Sequence, residues 1–104
     1  MDLKKMASNL GIGDDDFLEL TELLVNVSLT DLSKIQAGLE ADNADQVATA
    51  AHSIKGAAGN LGFIKLSEIA LYVEKSARAG SLKGLEDKQE GIKLELDTIS
   101  STIG

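Results

Sequence analysis

The sequence predicts an all-α protein, an antiparallel up-down-up-down four-helix bundle with a short additional helix at its N-terminus. Three observations carry this expectation. Apolar residues recur at three- and four-residue spacing along most of the chain, which is the period of one helix face. No segment alternates apolar and polar residues with β-branched enrichment, as a half-buried strand would. Proline, the strongest helix breaker, is absent from all 104 residues.

The first helix is expected over Leu3 to Leu10, closed by Gly11. The second opens on Gly13-Asp14-Asp15-Asp16, whose carboxylates suit the positive end of a helix dipole. Phe17, Leu20, Leu24 and Val27 form its expected core row, continued by Leu32, Ile35 and Leu39. It ends near Asp42-Asn43, which also caps the third helix. That helix, about 43–61, carries Val47, Ala51, Ile54, Ala58 and Leu61 on a narrow seam, with Gly62 as its C′ residue. The fourth helix uses Leu66, Ile69, Ala70, Val73 and Ala77, and Gly80 stops it. The fifth uses Leu85, Ile92, Leu96, Ile99 and Ile103. Short connectors between long helices imply antiparallel neighbours.

Length and composition narrow the function. Residues 1–104 suffice for a single domain, without room for a nucleotide-binding domain beside another. The chain has no cysteine, so it has neither a disulfide framework nor a cysteine metal site. Its N-terminus lacks a signal-peptide apolar run, and no stretch of about 18 apolar residues exists to span a membrane. The expected setting is the cytoplasm. A net charge of −7 and a scatter of basic residues argue against nucleic acid and anionic lipid as partners. A monomer is the default, and the starting methionine favours a free-standing chain over a piece of a larger kinase.

The chemistry concentrates around His52, the only histidine. On a helix it shares a face with Lys55, Gly56 and Gly59. His52 lies about 100° round from Ala51, off the core seam and at the flank of the bundle. Each interior glycine costs about 0.8–1 kcal/mol relative to alanine. Gly56 and Gly59 therefore read either as a bare strip that a partner approaches or as a site of close helix packing. A neutral imidazole has a nitrogen lone pair and is a competent nucleophile near neutral pH. Phosphoryl transfer needs such a nucleophile with positive charge nearby, which Lys55 supplies. The plainer alternative is an ordinary surface histidine.

The run His52-Ser53-Ile54-Lys55-Gly56-Ala57-Ala58-Gly59-Asn60-Leu61-Gly62 resembles the signature of the histidine-containing phosphotransfer (HPt) domain, which reads His-x-apolar-Lys-Gly, small residues, then apolar-Gly. Asp14 to Asp45 resembles the family's preceding acidic-capped helix, and Leu66-Ser67-Glu68-Ile69-Ala70 with Glu74 resembles the helix that follows. The resemblance implies that His52 is phosphorylated at Nε2, that Lys55 helps hold the phosphoryl group, and that Gly56 leaves space for it. It also matches Glu74 to a glutamate that, in some members, bonds the other imidazole nitrogen. Glu74 reads equally well as an i,i+4 surface partner of Arg78.

The resemblance further implies a carrier rather than an enzyme. Such a domain accepts a phosphoryl group from a receiver-domain aspartate of a response regulator, or from a sensor histidine kinase, and passes it to another receiver. It implies no cofactor, with Mg²⁺ confined to the partner receiver's acidic pocket. Partner docking is expected from Gln46, Ala48, Thr49, Ser53, Gly59 and Asn60 around the strip. The alternative function is a non-transferring bundle that docks on a kinase or receiver, and such a module is free to lose His52.

Two decoys fall away. The glycines of 56–62 lie in or at the end of a helix, without the preceding strand of a nucleotide loop. Asp14-Asp15-Asp16 lacks the spacing of a calcium loop, so capping accounts for it.

Overall fold

The structure is a computed structural model and describes residues 2–104. Five helices follow one another: α1 (Leu3–Leu10), α2 (Asp14–Glu40), α3 (Ala44–Leu61), α4 (Ile64–Arg78) and α5 (Leu85–Ile103). Each long helix packs on its neighbours in a closed ring, α2 on α3, α3 on α4, α4 on α5 and α5 on α2, so α5 lies diagonally across from α3. The short α1 rests on α2. The molecule is 41 Å along its longest axis. That is the length expected of the 27-residue α2 at about 1.5 Å per residue.

The helix ends follow local chemistry. Asp2 accepts from the Lys5 amide and Asn43 from the Gln46 amide, each meeting an amide that has no partner within its helix. Gly11 and Gly62 close α1 and α3 in the left-handed conformation, at φ of 70° and 89°. After α4, Gly80 takes φ of 81°.

Phe17, Ile35, Ile54, Leu66, Leu85, Ile92, Leu96 and Ile99 are the largest fully buried apolar side chains. Removing each from water is worth about 1.5–3 kcal/mol. Phe17 and Phe63 bring their rings to 6.1 Å, joining the start of α2 to the α3–α4 corner. At the opposite end Gly38 lets α3 close on α2. A Cβ there would stand 2.7 Å from Val47 Cγ2 and 3.2 Å from the Asn43 carbonyl.

One core row differs from the sequence expectation. Leu20 and Val27 are exposed rather than buried, and Leu39 is half-buried. The buried face of α2 instead runs through Phe17, Thr21, Leu24, Val25, Ser28, Asp31, Leu32, Ile35 and Gly38. The packing of α3 and α5 on α2 decides which stripe is covered, and that stripe includes the small polar Thr21 and Ser28. Thr21 satisfies its hydroxyl internally by donating to the Phe17 carbonyl at 2.8 Å.

Candidate functional site

The middle of α3 leaves Thr49, His52, Ser53, Gly56, Gly59 and Asn60 exposed between α2 on one side and α4 on the other. The His52 side chain is 59% exposed, as its position off the Val47–Ala51–Ile54–Ala58 seam requires. From α4, Glu74 reaches under it. Glu74 is buried, with a side-chain exposure of 7%.

His52 Nδ1 lies 2.8 Å from Glu74 Oε2. An ionised carboxylate only accepts, so Nδ1 donates and carries the proton. The Nε2 lone pair is then free on the far side of the ring. Lys55 Nζ pairs with Glu74 Oε1 at 3.0 Å. Arg78, one turn along α4, donates to Oε2 from Nε at 3.0 Å and from its terminal nitrogen at 2.9 Å. The two readings of Glu74 left open by the sequence are thus both realised, with one carboxylate serving the histidine and Arg78 together.

Burial pushes the Glu74 carboxyl up, but the Lys55 ammonium, the Arg78 guanidinium and the bond from His52 outweigh it and hold it down at about 2. The carboxylate therefore stays charged at neutral pH. It orients the imidazole without taking its proton.

The backbone beneath the site is tied across helices. Ser67 of α4 donates its hydroxyl to the Lys55 carbonyl at 3.0 Å. The two glycines separate here. A Cβ on Gly56 would meet nothing within 4 Å, so Gly56 opens onto free space beside His52. A Cβ on Gly59 would stand 3.3 Å from Ser67 Oγ, so Gly59 serves close packing of α3 on α4 although it is itself exposed.

The expected docking residues divide. Thr49, Ser53 and Asn60 are exposed around His52. Gln46 is half-buried, and its side-chain amide donates to the Lys34 carbonyl of α2 at 2.9 Å, so it joins the two helices. Ala48 is a correction. It is 2% exposed and forms part of the core, because the short alanine side chains at this end of α3 let neighbouring helices close over it. It cannot touch a partner.

Two features go beyond the sequence reading. The Glu74–Arg78 pair, which the sequence offered as a surface alternative, belongs to the site itself. The exposed Leu20, Leu23 and Val27 of α2, with Ala57, Asn60 and Leu61 of α3, line a groove of about 260 Å³ along the same α2–α3 edge. The signal for the groove was present, since α2 carries more apolar residues than one buried stripe accommodates.

Comparison with known proteins adds the following. The family model described as Hpt domain matches residues 19–102. The fold is similar to the crystal structure of histidine-containing phosphotransfer protein B (HptB) from Pseudomonas aeruginosa PAO1, with a TM-score of 0.86 and 27% sequence identity. That match covers 99% of this chain and 90% of the other. No curated protein matches the chain.

Proposed function

The chain belongs to the Hpt domain family, and on that premise we propose that it is a phosphoryl carrier of a two-component phosphorelay, with His52 as its covalent waypoint. The group comes from a receiver-domain aspartate or a sensor kinase and passes to another receiver aspartate. The observation that carries this reading is the single exposed imidazole, its Nδ1 held 2.8 Å from a charged carboxylate and its Nε2 turned outward.

In the step we propose, the Nε2 lone pair attacks the phosphorus of an aspartyl phosphate in line with the bond to the leaving oxygen. The N–P bond forms, the P–O bond breaks, and the aspartate departs as a carboxylate. The proton on Nδ1 stays. The ring becomes a phosphorylated imidazolium whose positive charge faces Glu74. No proton changes hands, so the step needs no general base and is reversible. Glu74 orients the ring, Lys55 supplies positive charge for the phosphoryl oxygens, and Gly56 gives the partner room. Mg²⁺ belongs to the receiver's acidic pocket in this reading, and the carrier acts in the cytoplasm without a metal or ATP of its own.

The α2–α3 edge supports docking. Leu20, Leu23 and Val27 offer exposed apolar surface next to Asn60, and Thr49 and Ser53 line a polar recess with Asp31 and Lys34 between the same two helices, the mixture of apolar anchor and polar rim that interfaces use. The test is transfer from a panel of phosphorylated receiver domains to the native chain and to His52→Gln. An acid-labile gain of one phosphoryl mass on the native chain alone is expected, with unchanged helical content in the variant. A native chain that binds receivers but takes no label would instead be the docking module. Lys55→Ala should slow transfer more than it weakens receiver binding. Equal loss of both would make Lys55 a docking residue.

A further inference from the structure

The Lys55 ammonium is already engaged before any transfer. It pairs with Glu74 Oε1 at 3.0 Å, while Oε2 of the same carboxylate faces His52 Nδ1 at 2.8 Å. Lys55 is thus held by the same carboxylate that holds Nδ1, and an ammonium that moves to phosphoryl oxygens on Nε2 gives up Oε1. Its side chain is 28% exposed and flexible enough to reach solvent along the strip beside Gly56, where nothing stands within 4 Å of a built Cβ.

Moving Lys55 has a consequence for Glu74. A buried carboxylate stripped of its counter-charge is costly, and it either takes up a proton or turns toward water. Either change would release the His52 ring. Arg78 prevents it. Its guanidinium grips Oε2 through two nitrogens, at 3.0 and 2.9 Å, the same oxygen that faces Nδ1. This two-point grip fixes the carboxylate in direction as well as in charge. With Lys55 gone, the cluster still contains Glu74 with Arg78 and the imidazolium formed by transfer.

Resting on the carrier reading of His52, we propose that Lys55 is a counter-charge with two stations, Glu74 Oε1 before transfer and the phosphoryl oxygens after it, and that Arg78 is the positioning residue that keeps Glu74 aimed at Nδ1 when Lys55 leaves. Arg78 acts through Glu74 and touches neither the phosphoryl group nor its donor. A simple salt bridge at the surface would be worth little. This one matters because its partner is buried and shared.

Phosphoramidate tests this without any partner protein. The Nε2 lone pair of neutral His52 attacks its phosphorus, the P–N bond of the donor breaks, and ammonia leaves, giving the same phosphorylated imidazolium. The full chain, Arg78→Met, Arg78→Lys and Glu74→Ala are compared by rate of acid-labile phosphorylation and by ¹⁵N shifts of the His52 ring before and after. Before phosphorylation Arg78→Met should keep the native ring tautomer, because Lys55 still holds Glu74, whereas Glu74→Ala, which leaves Nδ1 without an acceptor, should lose it. Phosphorylation of Arg78→Met should be slowed about tenfold, the size of one lost charge-assisted bond. Its phosphorylated ring should lose the hydrogen-bonded Nδ1 signal. Arg78→Lys should fall between the two, since one ammonium replaces the charge but not the two-point grip.

Arg78 lies on the surface, with 58% side-chain exposure, so the variant keeps its fold. Native rate and native ring signals in phosphorylated Arg78→Met would overturn the proposal. So would a tautomer in unphosphorylated Arg78→Met as disturbed as in Glu74→Ala, since Lys55 would then hold nothing. A native chain that takes no phosphoryl group on His52 would refute the carrier reading instead, and with it the premise.

Discussion

Glu74 holds the Nδ1 side of His52 from a position that is buried and shared with Lys55 and Arg78. A carboxylate in contact with one ammonium, one guanidinium and one imidazole has a reason to remain ionised under conditions that protonate others. The group's ordinary value is 4.5 and the fold lowers it to about 2. The ionised side chain thus adds about 3 kcal/mol to stability by linkage. Because the folded value is the lower one, this contribution is complete above pH 4.5 and is lost as pH falls toward about 2. Glu74→Gln should therefore be less stable than the native chain at neutral pH, and the gap should close on acidification across that window. Urea unfolding at several pH values measures it. A gap that stays constant would mean that Glu74 is not held ionised by the fold. The role of this residue was half legible. A spacing of four to Arg78 is visible in the sequence, but the bond to His52 joins residues 22 apart, so only the family resemblance pointed to it and the packing of α4 on α3 was needed to place it.

At the scale of the helix, α3 succeeds by being small. Its alanines let α2 and α4 close on it, and its glycines do different work at different heights. Gly38 of α2 completes the contact, since a Cβ there would collide with Val47 Cγ2 at 2.7 Å. Gly38→Ala should destabilise the fold by about 1–3 kcal/mol through overpacking. Gly56→Ala should do the reverse and stabilise it by about 0.5–1 kcal/mol, because the added methyl group meets nothing within 4 Å and helix propensity improves. Chemical denaturation of both variants checks the pair, and a destabilised Gly56→Ala would show that the strip is not open. The ends of α1 and α3 were legible because capping is local, with Asn43, Gly11 and Gly62 each acting within its own turn, whereas α4 and α5 start without a side-chain cap. The buried face of α2 was not. Leu20 and Val27 outrank Thr21 and Ser28 in hydrophobicity, yet the neighbouring helix decides which stripe is covered, and that choice is tertiary. Ala48 escaped for the same reason, since nothing local to it says whether the bundle closes over its side of α3.

For the whole molecule, the bundle separates support from presentation. α5 stands diagonally across from α3 and completes the core, while α2, α3 and α4 shape the face that carries His52. Leu23 of α2 and Leu94 of α5 are similarly exposed, at 58% and 59%, but only Leu23 lies on the α2–α3 edge. Leu23→Glu should weaken receiver binding by about tenfold or more, as loss of an interface anchor does. Leu94→Glu should leave binding as it is. Titration of both variants with one receiver domain distinguishes a local dock from general stickiness, and equal losses would remove the α2–α3 edge from the account. The central claim is that His52 carries the phosphoryl group on Nε2 because Glu74 occupies Nδ1. The most direct measurement is ¹⁵N and ³¹P NMR of the chain after transfer from a phosphorylated receiver, reading which ring nitrogen is coupled to phosphorus. The account predicts phosphorus on Nε2 with a protonated, hydrogen-bonded Nδ1. Phosphorus on Nδ1, or on any residue other than His52, would contradict it.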